Sequence, residues 1–128
     1  MNPRFALLFF LCLDLPARAE PVAIIGKASL ATGALHPALS PDGSRIAVSS
    51  QGMIGVLPVA GGTLRILTHD SGWDVYPTWS PDGKQIAYLN APSFSVGHLR
   101  LIDAKSGLAT PLPRRVYSRG PVQFHPDG

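Results

Sequence analysis

The chain reads HPALSPDGSRIAV at residues 36–48 and YPTWSPDGKQIAY at residues 76–88. A third copy begins as VQFHPDG at residues 122–128. The Pro-Asp-Gly triplets start at Pro41, Pro81 and Pro126, so successive copies are offset by 40 and 45 residues. A repeat of about 40–45 residues that contains short strands and tight turns is typical of the blades of a β-propeller. The repeat therefore predicts an all-β chain of propeller blades.

Each copy is predicted to form one antiparallel blade of four strands. In the Ser-Pro-Asp-Gly turn, proline presets φ, aspartate bonds to the local backbone and glycine accepts a positive φ. Because every blade needs this turn, Asp42, Asp82 and Asp127 are interpreted as turn residues. The five extra residues of the second copy are assigned to a long hairpin loop, Asn90–Gly97. The predicted strands are Ala38–Ser40, Arg45–Ser50, Ile54–Val59 and Leu64–Thr68, then Thr78–Ser80, Gln85–Leu89, Leu99–Asp103 and Ala109–Leu112.

Composition agrees with this architecture. The 128 residues include 13 glycines and 13 prolines, which suits many turns, and Glu20 is the only glutamate. The formal net charge of +3 is too small to indicate nucleic-acid binding. One local basic cluster consists of Arg114, Arg115 and Arg119. It is interpreted as a solvated loop between blades in preference to an anion-binding patch.

Residues 1–19 have the order of a secretory signal peptide. A positive start at Met1–Arg4 precedes the apolar run Phe5–Leu13, and Ala17-Arg18-Ala19 supplies a small-residue cleavage site. The apolar run is far shorter than the ~20 residues that cross a bilayer. We therefore expect export to the periplasm or the medium, without a membrane span after cleavage. Residues 20–34 are then a lead-in or ring-closing strand, and residues 35–128 a partial propeller.

Motifs for catalysis or metal binding are absent from the sequence. There is no Gly-x-Ser-x-Gly nucleophile elbow, no His-Glu-x-x-His zinc motif and no phosphate-binding glycine loop. The four histidines lack metal-ligand spacing. The closest acidic pair, Asp70 and Asp74, is interpreted as turn and capping residues. We predict no catalytic residue, no metal and no cofactor in this chain.

The segment His69–Tyr76 is particular to one connection between the blades. Its Trp73-Asp74 pair invites comparison with the Trp-Asp pair of WD repeats, but that pair lies near a strand end inside the blade. Two interpretations stay open: a tryptophan packed under the loop, or a partner contact formed by Trp73, Asp74 and Tyr76. The Asn90–Gly97 loop, with Phe94 and His98 nearby, is a weaker candidate of the same kind.

The repeats resemble those of the exported TolB-like β-propellers. The resemblance is carried by LSPDGSRIA at 39–47 and WSPDGKQIAY at 79–88, and it covers about residues 35–128. Similar repeats occur in tricorn-like, dipeptidyl-peptidase and prolyl-oligopeptidase propellers and before some amidohydrolase domains. The resemblance implies a ring of six or seven blades. This sequence supplies about two and a half blades of an incomplete ring, so we expect a fragment of a longer protein.

Two functions follow from this reading. The first is a non-catalytic exported propeller that acts as an interaction platform for an envelope protein or a ligand at its loops. The second is the N-terminal propeller portion of an exported hydrolase, a serine peptidase or a metal-dependent amidohydrolase, with a catalytic domain beyond residue 128. No functional residue is carried over from the family, because its partner-binding positions form no short motif. The open sheet edges also predict self-association of the isolated chain.

Overall fold

The computed structural model describes residues 34–92 and 96–127. The predicted signal peptide at 1–19, the lead-in before residue 34 and Phe94 lie outside the described residues. Among the residues that it does describe, no helix has the length and apolarity needed to cross a membrane. The strands are β1 (Ala34–Leu39), β2 (Arg45–Ser50), β3 (Met53–Pro58), β4 (Arg65–Ile66), β5 (Trp73–Trp79), β6 (Gln85–Ala91), β7 (Gly97–Asp103) and β8 (Tyr117–Ser118).

The strands form two antiparallel sheets of four, each in the order of the chain. The first sheet is β1-β2-β3-β4 and the second is β5-β6-β7-β8. This meander is the architecture of a propeller blade, so the predicted fold class is confirmed. The third copy is described as far as residue 127, and none of its described residues lies in a strand.

The Pro-Asp-Gly turns are held by the bonds that the sequence predicts. The Ser40 hydroxyl donates to Oδ1 of Asp42 at 2.6 Å, and the Ser44 amide donates to the same oxygen at 3.0 Å. These bonds, the one from Ser40 first, hold the pKa of Asp42 at about 2. Gly43 has a φ of 71°, which a side chain would disfavour. Asp82 accepts the equivalent two bonds in the second copy, which confirms the interpretation of both aspartates as turn residues.

The fourth strand of the second blade differs from the prediction of Ala109–Leu112. Ala109 makes only an isolated bridge, with Ile102, and the chain then leaves the sheet over residues 111–115 before it returns as β8. We call residues 111–115 the excursion. Its cause lies in Pro111 and Pro113, which have no amide hydrogen to donate to a strand ladder.

The predicted hairpin loop Asn90–Gly97 is also shorter than expected. Asn90 and Ala91 belong to β6, and Gly97 begins β7. The additional length of the second copy nevertheless lies in this hairpin, as predicted, because Arg45 pairs with Pro58 whereas the equivalent Gln85 pairs with Asp103, five residues farther along.

The two blades pack face to face through one apolar cluster. Strand β5 lies against β1, β2 and β3, so the inner strand of the second blade covers the open face of the first. The buried residues of this cluster are Ala47, Ile54, Val56 and Leu67 from the first blade and Trp79, Ile86, Tyr88, Ile102 and Ala104 from the second.

Trp79 connects the blades by three kinds of contact. Its ring is only 7% exposed, and its Nε1 donates to the carbonyl oxygen of Ala38 at 2.9 Å. The Arg45 guanidinium lies 4.6 Å from the ring centroid, in cation–π geometry, and donates to the carbonyl oxygen of Gly83 at 3.3 Å. At the equivalent position of the first blade, Leu39 is 61% exposed.

The substitution W79A should destabilise the protein by about 3–5 kcal/mol, because it leaves a cavity at the interface and removes the bond to Ala38. The matched control is L39A, which truncates the equivalent but exposed residue and should change the free energy of unfolding by less than about 0.5 kcal/mol. Urea titration followed by circular dichroism measures both. Equal losses in the two variants would contradict the assignment of Trp79 to the interface.

A candidate binding cleft between the blades

The ends of the sheets opposite the Pro-Asp-Gly turns enclose a cleft of about 340 Å³. Both blades contribute to it, through the starts of β1 and β5, the β2–β3 turn and the facing ends of β6 and β7. We call it the interblade cleft. Most of its lining is apolar, which is the usual character of a binding site. The apolar side chains are Leu35, Trp73, Val75, Leu89, Ala91 and Val96.

A β-bulge in each inner strand sets the shape of this cleft. The register shifts between Leu35 and Ala38 in β1 and between Val75 and Thr78 in β5. A bulge bends its strand and redirects a side chain, and bulges are frequent beside functional sites. The shared geometry indicates that the bulge belongs to the blade repeat.

His36 and Tyr76 occupy equivalent positions in the two bulges. Their φ angles are 53° and 55°, in a region of backbone conformation that residues other than glycine rarely adopt. The two rings lie 4.1 Å apart between centroids, with an interplanar angle of 48°. The pair therefore joins one blade to the other at the wall of the cleft, at the cost of backbone strain.

Trp73 lies at the rim of the cleft and is 44% exposed. A Cβ added to Gly52 would lie 3.3 Å from Cε3 of the tryptophan, so the ring packs against the bare backbone of the β2–β3 turn. Trp73 and Asp74 are the first two residues of β5. The expectation that they lie in the connection between blades is therefore wrong at the level of secondary structure.

Asp74 is fully buried and makes bonds to both blades. Its carboxylate accepts hydrogen bonds from the Thr68 hydroxyl at 2.5 Å and from Nδ2 of Asn90 at 2.7 Å. Its amide donates to the carbonyl oxygen of Gly52, and its own carbonyl oxygen accepts from the Ser49 hydroxyl. The turn and capping role expected of Asp74 is incomplete, because its hydrogen bonds also link the second blade to the first.

Of the three residues predicted as a partner contact, the structure brings Trp73 and Tyr76 into the cleft and places Asp74 beneath it. Sequence reasoning missed His36 and Leu35, which line the same cleft. The signal for His36 was present in its alignment with Tyr76, but a position shared by two blades was taken to be purely structural.

Within the described part of the chain, two basic side chains line the cleft, His36 and Arg119. Burial lowers the pKa of His36, so its imidazole is neutral at pH 7, and its buried Nδ1 has no hydrogen-bond partner among the described residues. Arg119 is exposed and carries the cleft's formal charge. Across the part of the chain that the structure describes, no group of three or more potential metal ligands is found.

No protein-family model matches this sequence, and no curated protein matches it significantly. Solved structures do match. TolB from Acinetobacter baumannii is 27% identical with a TM-score of 0.49, over 57% of this chain and 19% of that one. A protein described as a TolB from Agrobacterium tumefaciens is 22% identical with a TM-score of 0.50, over 61% of this chain and 30% of that one.

This chain has a TolB-like β-propeller fold. It spans about a fifth and three tenths of the lengths of these two structures. At 22% identity the likeness is evidence of fold, and the repeats at 36–48 and 76–88 agree with it.

The buried carboxyl of Asp74 should make stability depend on pH. Burial raises its pKa above 3.8 despite the bonds from Thr68 and Asn90, so the folded protein binds this proton more tightly than the unfolded chain does. The free energy of unfolding must then decrease as the pH rises through the folded pKa. Relative to the variant D74N, the wild type should lose stability as the pH rises from the unfolded value of 3.8 through the folded pKa.

The control for this measurement is D103N. The backbone bond from Ser106 lowers the pKa of Asp103, so the stability that it contributes is lost only as the pH falls below its unfolded value. The difference between wild type and D103N should therefore be flat above about pH 5. Urea titrations at several pH values measure all three proteins, and a flat difference for D74N would refute the prediction.

Proposed function

We propose that this chain is a non-catalytic interaction module of the bacterial cell envelope, which holds a partner protein at the interblade cleft. The observation that carries the proposal is the half-exposed ring of Trp73 at the rim of an apolar cleft to which both blades contribute. Tryptophan and tyrosine are enriched among the residues that dominate binding energy at interfaces. The signal-peptide pattern of residues 1–19 supports export.

The exposed apolar surface of the cleft favours the binding of a partner protein. Leu35 is 51% exposed and lies with Trp73 in the lining of one concave site. Burying about 150 Å² of such surface contributes about 4 kcal/mol of favourable free energy, before the costs of association are subtracted. Two large apolar side chains at one concave site are therefore a better docking surface than the same residues scattered on a convex one.

The bulges support binding through preorganisation. Pro37 and Pro77 follow His36 and Tyr76, and proline fixes φ in its own position. The ring contact between His36 and Tyr76 is already formed within the folded blades. A partner that binds there does not have to order these side chains, which lowers the entropic cost of association.

The polar lining of the cleft supports a role without catalysis. The hydroxyls of Ser49 and Ser118 donate to backbone carbonyl oxygens, of Asp74 and Gly120 respectively. Neither serine is bonded to His36, so the arrangement lacks the nucleophile and base pair that serine hydrolases use.

Photocrosslinking in cells tests the proposal. Leu35 is replaced by p-benzoylphenylalanine in the full chain with its leader, and envelope fractions are compared before and after irradiation. We expect a discrete adduct with a second protein, which is lost when W73A is introduced because the apolar rim is then removed. The matched control carries the same photocrosslinker at Leu108, which is 71% exposed at the opposite end of the blades.

Equal adducts from positions 35 and 108, or no adduct from position 35, would reject the cleft as a docking site. An adduct that survives W73A would place the partner on a neighbouring surface. Circular dichroism of W73A confirms that the blades still fold.

A further inference from the structure

A second cavity lies at the outer edge of the second blade. The excursion stands away from β7 opposite Arg100, because β7 is bonded to Thr110 before it and to Val116 after it. The space between them is a cleft of about 660 Å³. We call it the basic groove. The interblade connection contributes Asp70 and Ser71 to its wall.

The groove has a strong excess of positive charge. Arg100, Arg114 and Arg115 line it and are exposed, and His98 lies with them. Within residues 34–92 and 96–127, none of the three arginines forms an ion pair with a carboxylate. Arg100 acts electrostatically on the buried Asp74 without pairing with it, and Arg114 and Arg115 are exposed to solvent.

Among the described residues, the one carboxylate in the lining is already engaged. Asp70 accepts a hydrogen bond from the Tyr88 hydroxyl at 3.0 Å. Burial raises the pKa of Tyr88 beyond its ordinary range, so the phenol stays protonated and keeps donating. Asp70 is held by this bond, and it does not approach the arginines within ion-pair distance.

The repeat does not require these arginines. In the first blade, the residues after β4 stay on β3, because the amides of Leu67 and Thr68 donate to the Ile54 carbonyl oxygen. Arg65 of β4 donates to the backbone carbonyl oxygens of Ala104 and Lys105 in the next blade. The corresponding edge of the second blade has two arginines on a loop that makes no such contact among the described residues. A packing role explains Arg65 and leaves Arg114 and Arg115 unexplained.

The lining of the groove favours a peptide over a small anion. Apolar side chains line the groove together with the charged ones, so a ligand that fills it needs both anionic and apolar groups. Pro111 and Pro113 restrict the backbone of the excursion and hold the groove open. The apolar members are Pro92, Leu99, Leu101, Leu112 and Val116.

We propose that the basic groove binds an acidic segment of a partner protein, with carboxylates on Arg100, Arg114 and Arg115 and apolar side chains against Leu99 and Leu112. Arginine pairs with carboxylates through two parallel hydrogen bonds, which gives such a contact direction as well as strength. This surface is separate from the interblade cleft, and the proposal stands whether or not that cleft binds a partner.

The test uses the full chain and a fluorescein-labelled octapeptide of alternating acidic and leucine residues, Asp-Leu-Glu-Leu repeated twice. Fluorescence anisotropy at low salt measures its dissociation constant. The double substitution R114E/R115E should weaken binding at least about 20-fold, since it replaces two attractions with two repulsions. The neutral variant R114Q/R115Q should give a smaller loss in the same direction.

The matched control is K84E/K105E, which changes the net charge by the same amount at the Pro-Asp-Gly end of the blades. It should alter the dissociation constant by less than about twofold. Equal losses in the two charge-reversal variants would reject the groove in favour of general electrostatic attraction.

Two ligand controls complete the test. An octapeptide with asparagine and glutamine in place of the acids should bind at least about tenfold more weakly, and equal binding would reject the role of the arginines. Inorganic phosphate should not displace the acidic peptide at equimolar concentration. Displacement under that condition would reject a peptide ligand and identify the groove as a small-anion site.

Discussion

The packing of Trp79 between the two sheets is the contact on which the rest of the structure depends. A four-stranded sheet has two faces, and a blade on its own leaves both to solvent. Trp79 covers the first blade, while its Nε1 reaches the Ala38 carbonyl and Arg45 lies over its ring. Because this fixes β5 against β1, the bulges of the two strands meet at the far end of the blades. The interblade cleft is a consequence of that alignment.

The parts of the fold that could be read from the sequence are those decided within a few residues. The Pro-Asp-Gly turns form as predicted because proline, aspartate and glycine each act on the backbone within four positions. The assignment of Trp73-Asp74 to a connection was wrong because it, too, was based only on neighbouring residues. Asp70, Ser71 and Gly72 carry loop signals, whereas the partners that draw Asp74 into β5 are Thr68 and Asn90, which lie on either side of it in the sequence.

Comparison of the repeats was informative about turns and misleading about the site. It correctly set aside Asp42 and Asp82, which accept the same two turn bonds in both copies. It also set aside His36, because Tyr76 stands at the same position. The shared feature there is the left-handed backbone of the bulge, whereas the side chains differ and their contact spans the blades. A repeated backbone can therefore present a unique site, and only the contact between neighbouring copies reveals it.

One strand separates the two proposed surfaces. Side chains alternate along β6, so Leu89 and Ala91 line the interblade cleft while Tyr88 and Asn90 line the basic groove. The wall between the two surfaces is thus a buried strand that is paired on both sides. A rigid wall of this kind transmits little of a change on one face to the other. The effects of substitutions in the cleft and in the groove should therefore add, as expected for sites without shared partners. Asn90 is one contact between the two sites, since its amide donates to both Asp74 and the Ser71 carbonyl oxygen.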